Sequence, residues 1–414
     1  MLTTELKETF FSLVRLGIGN GTISSFRFQD SGAIDWNALE ALAAQHGLSA
    51  VLVDGVERLP DGQRPPKPVL LQWIGETLQG FEYRYELYCR TIAEMAAFYN
   101  EHGYKMMVLK GYACSLDWPK PEHRPCGDID IWQFGEQKAA DAALLNLNDN
   151  LNDNEGSPDG SKSVKNPPQI HFEIDNSHHH HSVFYWRDFM VENHYDFINV
   201  HHHKSNVEFE KILKELGSAS YLDDPSAGSG QVKLGTWNLK PAPTAHGLRH
   251  GYVDVYGEKV YLPSPNLHAL FLLKHTMMHF AAEGITLRQL IDWAFFVRAH
   301  CKDVDWPWLE GVLEEFGMRR LYDVFNAICV EDLGFEVGIF QRVQFEPVLK
   351  DRVLNEILNP EFSEELPKSV FRRIAFKLRR WRGSAWKHEL CYKDSLWSAF
   401  WSGVWNHIIK PSSI

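Results

Sequence analysis

Two aspartates one residue apart, Asp128 and Asp130, lie in the segment Gly127-Asp128-Ile129-Asp130-Ile131-Trp132, where polar and apolar residues alternate. On a strand, that alternation turns both carboxylates to one face and Ile129 and Ile131 to the other. The two acids are then roughly 6–7 Å apart at the Cα level, so their oxygens can converge on one divalent cation. Two like charges this close repel, and the pattern predicts a cation or a basic partner beside them. Just upstream, the apolar run Met106–Leu109 ends at Lys110-Gly111, a basic residue followed by one that permits an unusual backbone.

The elements that must hold these residues read as strand, tight turn, short helix, loop and strand over Met106–Trp132. Tyr112–Asp117 suits one or two helical turns, stopped by Pro119 and Pro121. Before them, residues 1–104 read as mostly helical. Leu6, Phe10, Leu13 and Leu16 recur at helical spacing, Asp35 N-caps a helix to His46, and Val69–Tyr99 reads as one long helix. After Trp132, Gly135–Leu147 has helical periodicity, and Asn146–Gln169 is rich in Asn, Asp, Gly, Ser and Pro, as a loop or disordered insertion would be. Ile170–Asp175, Ser182–Trp186 and Phe189–Val200 are strand candidates, the last with Glu192, His194 and Asp196 on one face. Gly217–Pro243 reads as linker and Gly251–Leu262 as a hairpin. Ser264-Pro265 opens a helix to Ala282, followed by a helix over Thr286–His300.

The stretch Leu109-Lys110-Gly111, Arg124 and Asp128-Ile129-Asp130, followed by Glu192-Asn193-His194, resembles the bacterial group of uncharacterised nucleotidyltransferases. That group lies within the superfamily with the polymerase-β-like fold. The resemblance extends to a helix with His275 and His279 and to the segment from Leu287-Arg288 to Asp292. It implies an α+β fold: a nucleotidyltransferase core with a small mixed sheet and flanking helices, plus helical parts at both ends. The corresponding divisions are residues 1–104, a helical region; 105–262, the core with its insertion near 146–169; 263–340, helices lining a cleft; and 341–414, a basic and Trp-rich tail. In the family strand V-E-L-H-W an acid is the third carboxylate beside D-x-D. Here that acid is Glu192, with Glu173 or Asp175 as alternatives. Asn193 stands where the family pattern has an apolar residue.

The chemistry implied is metal-dependent transfer of NMP from an NTP to a small-molecule or protein acceptor. Asp128, Asp130 and Glu192 would be the catalytic and metal-holding residues, with Mg2+ (or Mn2+) bound by oxygens. The Glu192 carboxylate should then lie within about 5–6 Å of those of the two aspartates. Lys110, Gly111, Arg124, His194 and Arg288 would contact the nucleotide. Lys110 and Arg124 would meet the β- and γ-phosphates or pair with the aspartates, and Arg288 would line the cleft or pair with Asp292. Alternatives on the same residues are a catalytically inactive nucleotide-binding or regulatory protein and a membrane-peripheral assembly factor.

The formal net charge of −12 over 414 residues argues against non-specific nucleic-acid binding, which needs phosphate neutralisation. Six cysteines without a C-x-x-C pair argue against a zinc ribbon and fit reduced thiols, hence a cytoplasmic expectation, with no signal peptide visible. The His178–His181 and His201–His203 clusters lack fixed metal-ligand spacing, and consecutive side chains point in different directions. The reading that follows is a solvated hairpin end or contacts to a nucleotide's phosphates rather than a transition-metal site. In the tail, the basic segment Phe371–Lys387 and the Trp-rich stripe Leu396–Ile408 suit docking on the body, or a peripheral membrane contact.

Overall fold

The apolar run before Lys110 becomes β1 (Met107–Val108), an inner strand of a six-stranded sheet. The structure is a computed structural model that describes residues 3–22, 34–153, 172–201, 203–222, 251–362, 370–399 and 401. The other strands are β2 (Ile129–Trp132), β3 (His181–Trp186), β4 (Phe189–His194), β5 (Tyr252–Val255) and β6 (Glu258–Tyr261), in the order β3-β4-β2-β1-β6-β5. β2/β4 and β1/β6 pair in parallel, and β1/β2, β3/β4 and β5/β6 antiparallel. The fold is α+β, with this mixed sheet and many helices.

The chain forms two compact units, each drawn from separated stretches. Among the described residues, one comprises those within 85–113 and 126–268, and the other those within 3–84, 114–125 and 269–401. In the sheet-bearing unit, Ile129, Ile131, Val191, Phe184 and Val108 form a buried core with Tyr88, Ile92, Met95 and Tyr99 of the helix Arg84–Glu101. Period-2 alternation accounts for this: the apolar residues of β2 and β4 point to one face and leave their acids on the other. β4 stops at His194 rather than running to Val200. The amides of Tyr195 and Asp196 turn back to donate to the His180 carbonyl at 3.0 and 3.1 Å. Beyond that turn, the Glu210 carboxylate accepts from the amides of Phe197 and Ile198.

Several helices of the helical unit carry side-chain caps. Thr3, Asp35 and Asp305 accept from backbone amides of the first turn, and Thr286 with Gln289 makes a capping box. The helices Thr4–Gly17 and Ser49–Glu57 touch at their backbones. A Cβ on Gly17 would come within 2.1 Å of the Val51 carbonyl oxygen.

Three sequence expectations shift. The long helix expected over Val69–Tyr99 is a helical run from Lys67 to Glu101 interrupted by a π turn at Leu78–Tyr83. The helix Gln137–Asp153 takes in residues expected to be loop, and the rest of that insertion lies outside the described residues. The basic segment of the tail is two helices, Val370–Gly383 and Ala385–Cys391. Most of the expected linker after Gly217 and the end of the Trp-rich stripe also lie outside the described residues. Among the described residues, no helix is long and apolar enough to cross a membrane.

Candidate functional site

The parallel pairing of β2 with β4 sets Asp130 directly beside Glu192, and Trp132 beside His194. On the other side of β2, the Leu109 amide donates to the Asp130 carbonyl at 3.0 Å, which brings Lys110 to the same place. Its Nζ lies 3.1 Å from Asp130 Oδ1 and 3.6 Å from Asp128 Oδ2. Lys110 is therefore the basic partner that two neighbouring acids require. Asp130 is fully buried, whereas the Asp128 side chain is 37% exposed.

The turn after Lys110 demands glycine for two reasons. Gly111 has φ of +61°, and a Cβ there would lie 2.5 Å from the Tyr88 hydroxyl. That hydroxyl donates to the Asp128 carbonyl at 2.9 Å and so ties the entry of β2 to the core helix. The helix after the turn is one turn long, Tyr112–Ser115.

On the acid face, His194 Nε2 lies 3.2 Å from Asp130 Oδ1 and 3.6 Å from Glu192 Oε2. Its Nδ1 faces the Asp196 carbonyl at 3.1 Å. One ligating atom each of Asp130, Glu192 and His194 lie within 4.8 Å of one another, and Asp130 Oδ2 is buried with no hydrogen-bond partner. These donors fit a divalent cation: converging anionic oxygens, one imidazole nitrogen, and a buried lone pair left unused.

The electrostatics are those of a charged site held out of water. Burial alone would lower the Lys110 ammonium, but Asp130, Asp128 and Glu192 outweigh it and hold its pKa above the ordinary lysine value. Burial would also lower His194. Its hydrogen bonds to Asp130 and Glu192 prevail and raise it to about 9. Burial would raise Glu192, but His194, Lys110 and His181 bring it down to about 2. Burial, with His194 as a charged neighbour, lowers His181 to about 4 and His180 to about 2.

Asn193 points to the opposite face, where its Nδ2 donates to Asp141 Oδ1 at 2.7 Å. Ser182 and Gln137 donate to the other Asp141 oxygen, so this departure from the family pattern is matched by a buried polar group.

The histidines group differently from the expectation. His181 is the cross-strand partner of His194, and the His180 ring lies 4.2 Å from His181 and 5.5 Å from His194 between centroids. This is readable from the sequence if β3 and β4 are joined by a two-residue turn at Arg187-Asp188. Pairing back from that turn brings His181 opposite His194. Glu173 is exposed, and Asp175 forms an isolated bridge with Val183.

Arg124 and Arg288 belong to the helical unit. Arg124 makes a bidentate pair with Asp292, Nε to Oδ1 at 2.8 Å and Nη2 to Oδ2 at 2.9 Å, and Trp118 Nε1 donates to the same carboxylate at 2.8 Å. Arg288 Nη1 donates to the Pro125 carbonyl at 3.4 Å. The His275 and His279 rings lie 4.4 Å apart on one helix face.

The comparisons agree with the motif order. A family model described as uncharacterised nucleotidyltransferase matches residues 32–221 and 236–333. No curated protein and no solved structure matches the chain. The matched stretch takes in the Lys110-Gly111 turn, the Asp128 and Asp130 strand, the Glu192–His194 strand and the helix carrying Arg288 and Asp292. From Lys110 through Asp292, the residues that build both charge clusters thus fall within the match, and the chain belongs to the uncharacterised nucleotidyltransferase family.

Proposed function

We propose that the protein transfers a nucleoside monophosphate from an NTP to a small-molecule or protein acceptor. The observation that carries this is the cross-strand pair of Asp130 and Glu192, with Asp128 and Lys110 beside it. Asp128, Asp130 and Glu192 would hold Mg2+ (or Mn2+), which when bound neutralises phosphate charge and acidifies the attacking group. An acceptor oxygen attacks the α-phosphorus, the α–β bridging bond breaks, and pyrophosphate leaves with that electron pair. Glu192, ionised at neutral pH, acts first as a ligand and only weakly as a base for the acceptor's proton. His194 Nε2 donates to Asp130 and lies within ion-pair distance of Glu192, and so helps hold both in place. Lys110 is proposed to swing from the aspartates to the β- and γ-phosphates as the nucleotide enters, and Gly111 keeps the backbone close to them. Arg124 is taken up by Asp292 and holds its own loop rather than meeting phosphate, and Arg288 is proposed as a further nucleotide contact. Arg288→Lys would then raise KM for the NTP.

The test is purified full-length protein with Mg2+ or Mn2+, α-labelled ATP, GTP, CTP or UTP, and panels of small-molecule and protein acceptors. Label transfer with pyrophosphate release is expected. One observation favours a second reading, a nucleotide-binding protein without turnover. The Lys110 ammonium bridges Asp128 and Asp130 much as a cation would. Saturable nucleotide binding with no transfer for any acceptor would select that reading.

A further inference from the structure

The proposed transfer uses neither His180 nor His181, yet Nδ1 of each is buried with no hydrogen-bond partner. A buried imidazole nitrogen without a partner keeps its desolvation cost uncompensated, so two of them side by side call for a ligand. The hairpin holds them rigidly. His181 is paired with His194 across β3 and β4, and the His180 carbonyl is pinned by the Tyr195 and Asp196 amides. Ring centroids lie 4.2 Å apart for His180–His181 and 5.2 Å for His181–His194. One nitrogen from each of His180, His181 and His194 lie within 4.8 Å of one another. Glu192 stands between two of them, Oε1 at 3.9 Å from His181 Nε2 and Oε2 at 3.6 Å from His194 Nε2. When Nδ1–H of a neutral His194 donates to the Asp196 carbonyl, its lone pair is on Nε2, which then exchanges its contact with Asp130 for a metal.

We propose that His180, His181, His194 and Glu192 form a transition-metal site of three nitrogens and one carboxylate, of the kind that takes Zn2+ or Co2+. It shares Glu192 and His194 with the transfer site and extends it on the β3 side. Metal–nitrogen bonds of about 2.0–2.1 Å put tetrahedral ligands roughly 3.4 Å apart, so the imidazoles need close by no more than about 1.5 Å through side-chain rotation. The donor set selects the ion: imidazole suits zinc-like metals, whereas Mg2+ prefers oxygen. It also selects against an anion, because the Glu192 carboxylate lies among the same nitrogens and would repel a phosphate.

The site can be probed without nucleotide or turnover. Metal-stripped full-length protein is titrated with Co2+, and the visible d–d bands of four- or five-coordinate cobalt are followed. Strong bands that saturate at one Co2+ per chain and resist a large excess of Mg2+ are expected. His180→Ala and His181→Ala should each weaken Co2+ binding by about 10–100-fold or more. His279→Ala, on a separate helix, should leave it unchanged. Circular dichroism checks folding, and His181→Gln replaces the alanine variant if that one fails to fold. A weak octahedral spectrum, or bands unchanged in both alanine variants, would overturn the site. This proposal builds on the transfer reading only through the two shared residues, and the two fail separately. Mg2+-supported transfer without cobalt bands would remove the histidine site alone. Cobalt bands without transfer on any NTP would remove the transfer reading alone.

Discussion

Each unit of this protein buries a knot of charge, and the two knots are satisfied to different degrees. In the helical unit, both Asp292 oxygens accept from Arg124, and one also accepts from Trp118. Nearby in that unit, Asp54 accepts from Lys120 at 2.5 Å and from His123 at 2.6 Å, and His123 Nε2 faces Glu82 at 3.2 Å. In the sheet-bearing unit, three carboxylates face Lys110 and His194, while Asp130 Oδ2 and the Nδ1 atoms of His180 and His181 have no partner. Burial alone does not mark a site, since both knots are buried. The difference is unused capacity: a structural knot spends its donors and acceptors on itself, and a ligand site keeps some back.

Substitutions can test that contrast, starting with the largest effect. Asp128→Asn should lower nucleotidyl transfer by about 10³-fold or more, several kcal/mol of lost charge stabilisation, while chemical denaturation gives a stability close to wild type, because Asp128 is partly exposed and Asp130 still pairs with Lys110. A large stability loss in that variant would place Asp128 with the structural knot. Asp292→Asn should do the opposite in kind. It leaves the Arg124 guanidinium buried and half-paired, and should cost about 3–5 kcal/mol in a denaturation curve followed by tryptophan fluorescence. An Asp292→Asn protein as stable as wild type would erase the distinction between the knots.

A smaller and more selective effect is expected at Glu192. Glu192→Gln should cut kcat by about 10²-fold with little change in nucleotide affinity, because the aspartates carry the phosphate side. Equal losses in binding and turnover would make Glu192 a ground-state ligand only. The smallest effect is a pH dependence of the structural knot. Burial would lower His123, but Asp54 and Glu82 outweigh it and raise its pKa. Its contribution to stability is therefore complete below the free-imidazole value of about 6.5 and is lost as pH rises through the raised folded value. Stability measured across that window should fall with pH in wild type and stay flatter in His123→Gln. Parallel profiles would mean that His123 carries no charge in the fold.

Which parts of this arrangement a reader of the sequence can see follows from their range. The shared face of Asp128 and Asp130, the glycine after Lys110, and the helix starts at Pro265 and Thr286 are local. Alternation, backbone freedom and capping chemistry state them directly. Asp130 standing beside Glu192 is a pairing between distant strands, reached through the family motif rather than through periodicity. The bidentate hold of Asp292 on Arg124, where an intrahelical pair with Arg288 was the alternative, joins segments with no common periodicity. The histidines were obscured because consecutive residues on an extended chain diverge. His180 sits just outside the strand, where a turn brings its ring back toward His181.

The buried contact between Asn193 and Asp141 has a consequence for inheritance. An apolar residue at 193 would leave Asp141 with one fewer donor in the core, and an apolar residue at 141 would strand the Asn193 amide. Either change alone would cost about 1–3 kcal/mol, which couples the two positions. Ser182 and Gln137, which also donate to Asp141, soften the loss when Asn193 is replaced. Relatives with the family's apolar residue at the Asn193 position should therefore carry no acid at the Asp141 position. The two positions form a heritable unit by which branches of the family can be told apart.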